Sequence, residues 1–156
     1  MKDLIETTLP SLPIVGKLKV SRTKSGLFTA ISPTHVQSSG KLGPLEEECY
    51  EKFFEYLRGN SKVIDLPVSL DGVTPFQKNV LFQMKNIPYG EVKTYKDVAH
   101  EMKSRAYQAI GSGCGRNPLL IIFPCHRVIA TNGLGGFANG LKMKRSLLEL
   151  EGVFLP

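Results

Sequence analysis

Tryptophan is absent from this 156-residue chain, cysteine occurs three times, and aromatic residues make up 8% of it. The cysteines, Cys49, Cys114 and Cys125, are an odd number with no CxxC pair and no histidine at co-ligand spacing. A disulfide framework is thereby excluded as the basis of folding, a zinc site is not expected, and a reduced, intracellular setting fits. No apolar run approaches the ~20 residues that span a bilayer. The start, MKDLIETTLP, carries acids where a signal peptide is basic. Membrane insertion and secretion are therefore not expected, and the expected location is the cytoplasm, or the nucleus in a eukaryote. Repeats and long low-complexity stretches are missing as well. The length and the 42% hydrophobic content are enough to bury roughly two thirds of the unfolded surface without a disulfide or metal staple.

Charge is unevenly placed. The chain carries 20 Lys+Arg against 14 Asp+Glu, a formal +6. Residues 1–72 hold nine basic and nine acidic side chains, whereas residues 73–156 hold eleven and five, so the whole excess lies in the second half. Such a balance is compatible with a polyanionic partner without requiring one.

Along the chain, residues 17–30 read as short strands around a turn at 22–26, and residues 32–43, rich in Ser, Pro and Gly, read as loop. Pro44 stands where a first-turn proline belongs, and Leu45, Cys49, Phe53, Tyr56 and Leu57 recur at helical spacing up to Gly59-Asn60. From Thr74 the pattern changes. Thr74-Pro75 predicts a cap and first turn, with Phe76, Val80, Leu81 and Met84 on one apolar face. Thr94 predicts the cap of a second short helix with Tyr95, Val98, Ala99 and Met102 at core spacing. Ser104 predicts the cap of a third, with Ala106, Ala109, Ile110 and Gly113 on its small, apolar side. Two such helices in succession suggest a helix-turn-helix, and Arg105, Gln108 and Arg116 suit a groove-entering element.

Residues 117–128, NPLLIIFPCHRV, carry the chemistry. Asn117-Pro118 marks a turn, and Leu119–Phe123 predicts a buried strand or a tight core segment. Cys125 follows it between a proline and His126. A free thiol near pKa ~8.5 is mostly protonated at neutral pH, so a neighbouring base is needed to supply the thiolate nucleophile.

The string Pro124-Cys125-His126-Arg127-Val128 strongly resembles the acceptor motif of the O6-alkylguanine-DNA alkyltransferases, the methylated-DNA–protein-cysteine methyltransferases. Further similar segments stand in the same order: Pro88-Tyr89-Gly90-Glu91-Val92 with Thr94-Tyr95, Ala109-Ile110-Gly111, Arg116-Asn117-Pro118, Gly135-Gly136-Phe137, and Leu147 through Gly152. The resemblance covers roughly residues 74–153, about half of the chain. It implies an α+β protein: a small N-terminal sheet-plus-helix domain (1–72) packed on a mostly helical, winged-helix-like C-terminal domain (73–156) that binds DNA and accepts the alkyl group. It also implies a monomer that flips O6-alkylguanine, mainly O6-methylguanine and by extension O4-alkylthymine, out of double-stranded DNA. The alkyl group then passes irreversibly to Cys125 in a single turnover, with no cofactor or metal and no membrane partner.

By the same resemblance, His126 is the base through a bound water, Glu151 orients it, and Tyr95 donates to the guanine ring. Asn117 holds the turn between the recognition helix and the active-site segment. The carbonyls of Cys125 and Val128 accept from the guanine amine, and the Ala138 N–H reaches the guanine oxygen, with Phe137 and Asn139 beside it. Thr94, Arg105, Ala106, Gln108 and Arg116 face DNA. The chain departs from the family at Gln108, where most members carry an arginine that fills the space of the flipped base; Gln108 or Arg105 takes that role. Phe137 replaces a frequent tyrosine, Ala138 a serine and Asn139 a glycine, and Asn139 is expected to restrict large adducts. Three alternatives stand beside this reading. A non-catalytic lesion binder of the alkyltransferase-like type would lack the acceptor cysteine. A helix-turn-helix regulator would not need PCHRV, and a cysteine hydrolase would turn over without DNA.

Overall fold

The structure, a computed structural model, describes residues 3–156. The chain divides into two compact units, one of residues 1–71 with Pro118–Ile122 and one of Gly72–Asn117 with Phe123–Pro156. Residues 118–122, which lie in the second half of the sequence, thus group with the first unit.

In the first unit, β1 (Leu4–Thr8), β2 (Leu18–Thr23) and β3 (Phe28–Pro33) form an antiparallel sheet in the order β1-β2-β3. Alternation along β2 buries Leu18 and Val20, while a register shift between Ser21 and Arg22 bends the strand. Helix α1 (Pro44–Leu57) starts on Pro44 with Glu46 and Glu47 in its first turn, where acids suit the helix dipole. It buries Cys49, Phe53, Tyr56 and Leu57, and each fully buried large apolar side chain contributes about 1.5–3 kcal/mol. Glu46 is buried too, against the Arg22 guanidinium of β2.

Sequence reasoning predicted a strand across Leu119–Phe123. All five residues are buried, yet they form only isolated bridges, with Leu119 beside Ile31 of β3. The reason is Ile121, whose backbone turns left-handed at φ +69°. That conformation costs a β-branched residue about 1–3 kcal/mol and ends strand pairing.

The second unit contains α2 (Pro75–Lys85), β4 (Lys93–Thr94), α3 (Tyr95–Glu101), α4 (Tyr107–Gly115), β5 (Val128–Ile129) and α5 (Leu141–Leu150). Strands β4 and β5 pair in parallel. The architecture is α+β, as expected. Thr74 caps α2 by accepting from the Gln77 N–H at 3.2 Å. Thr94 and Asp97 close a full capping box at α3, with bonds of 2.9 and 3.0 Å. The small face of α4 works at Gly113: a Cβ there would sit 2.9 Å from Gln77 Oε1 and 3.1 Å from Val80 Cγ1, so only glycine lets α4 reach α2 this closely.

Three local expectations fail. Ser104 does not cap α4; its Oγ accepts from the Ala106 N–H at 3.0 Å, closing a turn, and the helix starts later, at Tyr107. Ala106 and Ala109 are exposed because that shift rotates the buried face to Ile110, Gly113 and Cys114. Phe76 is 39% exposed, since the α2 core stripe runs through Val80, Leu81 and Met84. Among the described residues no helix is long and apolar enough to cross a membrane, and no group of three or more His, Cys, Asp or Glu side chains is gathered to hold a metal ion.

Candidate active site

Cys125 opens a single 3-10 turn, Cys125–Arg127, that ends in β5. Pro124 before it has no N–H to donate, and the Cys125 N–H bonds back to the Phe123 carbonyl at 2.8 Å, so the backbone is pinned at the thiol. The Asn117 amide, just past α4, donates to the Phe123 carbonyl at 2.6 Å and to Cys125 Sγ at 3.3 Å. One side chain therefore fixes both the turn and the sulfur. Burial pushes the Cys125 thiol above its ordinary range, while the Asn117 bond and the Lys144 cation pull the other way.

The 3-10 turn sends His126 inward, where its Nε2 lies 2.6 Å from Glu151 Oε2. Glu151 sits at the C-terminal end of α5. Its carboxylate also accepts from Arg127 Nε at 2.9 Å, Arg127 Nη2 at 3.0 Å and the Gly90 N–H at 3.1 Å. Gly90 has φ +81°, and a Cβ there would stand 3.2 Å from the Glu151 carbonyl, so the close approach requires glycine. The bidentate Arg127 already balances the Glu151 charge. Burial accordingly dominates at His126 and holds its pKa below the ordinary value, which keeps the imidazole neutral. A neutral ring that donates from Nε2 to Glu151 carries its lone pair on Nδ1. Nδ1 is buried and has no hydrogen-bond partner among the described residues.

A cavity of about 490 Å³ opens beside the thiol. Its walls are Gln108, Gly111 and Cys114 from α4, Tyr95 from α3, Cys125, and the segment Gly136–Ala138. The Tyr95 hydroxyl donates to the Gly136 carbonyl at 3.3 Å, and burial beside the Cys114 and Cys125 thiols raises its pKa to about 12. The phenol is thus a donor at any physiological pH. Gly135, at φ +73°, allows the wall to approach: a Cβ there would meet Tyr95 Cε2 and the Ala130 nitrogen at 3.0 Å.

Of the residues singled out by sequence, Cys125, Tyr95, Gln108, Phe137 and Ala138 share this cavity. His126, Glu151 and Asn117 stand behind the thiol. Val128 and Asn139 are outside the lining, and the Val128 carbonyl already accepts from Lys144 Nζ at 2.7 Å. Thr94, Ala106 and Arg116 sit at helix ends, and Arg105 lies in a separate cavity.

Sequence reasoning missed Lys144 and left Arg127, a member of the acceptor motif, without a role. Arg127 completes the Glu151 cluster and donates from Nη1 to the Ile87 carbonyl at 2.7 Å. Lys144 is 0% exposed, with Nζ bonded to the Val128 and Gly136 carbonyls at 2.7 and 2.9 Å, and burial lowers its pKa to about 8. The signal was present: Lys144, Leu147, Leu148 and Glu151 follow i, i+3, i+4, i+7, the buried face of α5.

Residues 75–153 match the family model described as 6-O-methylguanine DNA methyltransferase, DNA binding domain. The chain belongs to the O6-methylguanine-DNA methyltransferase family. A methylated-DNA–protein-cysteine methyltransferase of Saccharolobus solfataricus is 42% identical over 142 residues, covering 91% of this chain and 93% of that relative. The structure of Mycobacterium tuberculosis OGT in complex with DNA is similar at a TM-score of 0.80 and 31% identity, covering 94% and 91% of the two chains. The O6-methylguanine-DNA methyltransferase of Pyrococcus kodakaraensis follows at a TM-score of 0.67 and 27% identity, with 98% and 100% covered. The family match ends just past Glu151, so it spans the stretch from the first turn of α2 to the carboxylate that anchors His126.

Proposed function

We propose that this protein repairs DNA by moving an alkyl group from the O6 position of guanine to Cys125. One observation carries the reading. The thiol backed by His126 and Glu151 opens on the same cavity that α4, the recognition helix, walls on its other side. A protein that takes a base out of the duplex and reacts with it needs a groove-binding element and a nucleophile on one cavity.

The damaged guanine enters this cavity from double-stranded DNA. His126 Nδ1, through a water, accepts the Cys125 thiol proton, and Glu151 stabilises the imidazolium that forms. The thiolate attacks the alkyl carbon; the C–S bond forms as the C–O6 bond breaks, and guanine leaves with the electron pair. The Tyr95 phenol bonds to the guanine ring as that charge develops, and the ring regains a proton as His126 returns to neutral. The thioether is stable, so each molecule acts once. The Cys125 and Val128 carbonyls accept from the guanine amine, and the Ala138 N–H serves O6. Gln108, on the cavity wall, or Arg105 takes the place of the family's usual arginine. Asn139, exposed beside the wall, limits the larger adducts. Residues 1–72 act as scaffold for the DNA-binding and acceptor half, 73–156.

Incubation with a duplex containing O6-methylguanine, followed by intact-protein mass measurement, tests the reading. We expect a gain of one methylene on Cys125, stoichiometric and absent from Cys125→Ala. Tight binding without any adduct would overturn alkyl transfer in favour of lesion binding alone, and multiple turnovers would point to a hydrolase.

A further inference from the structure

The recognition helix α4, YQAIGSGCG, contains no charged residue. If the second unit grips DNA, its affinity for phosphate has to come from elsewhere in the +6 excess. A second cavity, of about 550 Å³, lies at the connection between α3 and α4 and is lined by Lys96, His100, Lys103, Ser104, Arg105 and Tyr107. No acid belongs to that lining. The Lys96, His100, Lys103 and Arg105 side chains make no ion pair or hydrogen bond with any described residue. Asp97, the acid one turn before His100, is engaged first by the Thr94 cap, whose hydrogen bonds hold its carboxyl below the ordinary range, with smaller pulls from Lys93 and His100. Lys103 adopts a left-handed backbone at φ +52°, uncommon outside glycine, which turns the chain between the two helices.

Lys96, Lys103 and Arg105, grouped around a cavity that no acid lines, repel one another and gain most from an anion that bridges them. Tyr107 indicates which anion. Its ring is 49% exposed and lines both this cavity and the one holding Cys125. A polymer that presents a base to one cavity would place its backbone at the other.

We propose that this basic cavity is a phosphate-binding site that seats the sugar-phosphate backbone of the DNA strand whose base enters the Cys125 cavity. The proposal rests on the duplex-DNA reading above. It assigns the phosphate grip to Lys96, Lys103 and Arg105 at the helix connection, with the Ser104 hydroxyl as a further donor, and leaves α4 itself to shape.

The test compares binding of a short, labelled, undamaged duplex across a series of salt concentrations. Each lost phosphate contact should lower the slope of log K against log salt by about 0.9. We expect Lys96→Gln/Lys103→Gln to lower the slope by between one and two such steps, and to weaken binding at least tenfold at low salt. The control Lys24→Gln/Lys41→Gln, which removes the same charge from the first unit, should leave the slope in place. Inorganic phosphate should compete only at far higher concentration than duplex, since it fills one seat; equal competition would mark a site for free phosphate and overturn the DNA assignment. An unchanged slope in the Lys96/Lys103 variant also overturns it. Should that variant fail to fold, acetylation of the wild-type protein decides: duplex must shield the Lys96 and Lys103 amines, and unshielded amines refute the proposal. Methyl transfer is read separately from the same samples. Loss of slope without transfer removes the repair reading alone, whereas transfer with unchanged slope removes the cavity alone.

Discussion

In the first unit, Lys19 stands 3.4 Å from Glu6, Lys24 3.7 Å from Asp3, Lys52 3.9 Å from Glu48, and half-buried Arg22 pairs with buried Glu46. In the second, no acid lines the cavity at the α3–α4 connection, buried His126 and Arg127 converge on one carboxylate, Glu151, and buried Lys144 is held by two backbone carbonyls. A unit with nine basic and nine acidic side chains, several of them paired, has little net charge with which to attract a polyanion. A unit that leaves cations open on its surface, while neutralising those in its interior, separates binding from chemistry: surface charge for phosphate, a compensated interior that keeps His126 neutral. The exposed pairs of the first unit are each worth at most about 1 kcal/mol, so their use lies in net neutrality more than in stability.

The sharpest way to break this comparison is to remove one buried carboxylate from each unit. Glu151→Ala strands a buried Arg127 and unhooks His126, and we expect a loss of about 3–5 kcal/mol together with complete loss of methyl transfer. Glu46→Ala frees Arg22, which is partly exposed and can turn to water, so the stability loss should be smaller and transfer should persist in the folded fraction. Urea titration and adduct mass give both quantities. Transfer abolished in folded Glu46→Ala would show that the two pairs are not different in kind.

Much of this contrast was legible in the sequence, and what was hidden was hidden for identifiable reasons. The helices α1 and α2 announce themselves through Pro44 and Thr74-Pro75, and α3 through Thr94, because caps and first-turn prolines act within a few residues. The acceptor turn was readable from PCHRV. Strand β1, with Leu4 and Ile5 exposed, carries no clean alternation and went unread. The left-handed turn at Ile121 overrides a run that locally favours a strand. Ser104 sat within reach of two competing roles, turn and cap, and the turn won. Lys144 was overlooked, and Arg127 left without a role, because long basic side chains are seldom fully buried, and their partners, two carbonyls and Glu151, are remote in sequence or belong to the backbone. The basic cavity could not be seen from spacing alone, since it depends on how α3 meets α4.

Lys144 sharpens the picture of a neutralised interior through its pH dependence. Its folded pKa of about 8 lies below the ordinary 10.5, so the unfolded chain binds the proton more tightly throughout that interval. Stability contributed by this group is therefore complete above about 10.5 and is lost as pH falls through about 8. Measured against Lys144→Met, the wild-type protein should gain up to about 3 kcal/mol on going from pH 8 to 10.5, with a constant difference below pH 8. Urea titrations at stepped pH read this directly. A difference that stays flat across the interval would mean that the ammonium is not desolvated. Tyr95→Phe should come next in size: it removes a donor on the cavity wall, and the expected cost is about 10²-fold in transfer rate with duplex binding unchanged. A matching loss of duplex affinity would move Tyr95 from chemistry to DNA contact.

The smallest expected effect probes the uncharged helix itself. Gln108 faces the Cys125 cavity from α4, at the position where the sequence resemblance leads one to expect an arginine. If phosphate affinity resides at the α3–α4 connection, a cation added at Gln108 should change little in binding to undamaged duplex. It should matter only when a base leaves the stack, because an arginine there can bond to the orphaned partner base and offset part of the few kcal/mol that flipping costs. We therefore expect Gln108→Arg to speed methyl transfer from duplex DNA by no more than about tenfold, or roughly 1.4 kcal/mol. Transfer from the free base O6-methylguanine, which needs no flipping, should proceed at the wild-type rate. Timed quenching followed by mass measurement separates the two. Equal rates on duplex for both proteins would mean that the neutrality of α4 has no consequence for flipping. Faster transfer accompanied by a steeper salt slope would place part of the phosphate grip on the helix, and weaken the division between a shape-reading α4 and a charged connection.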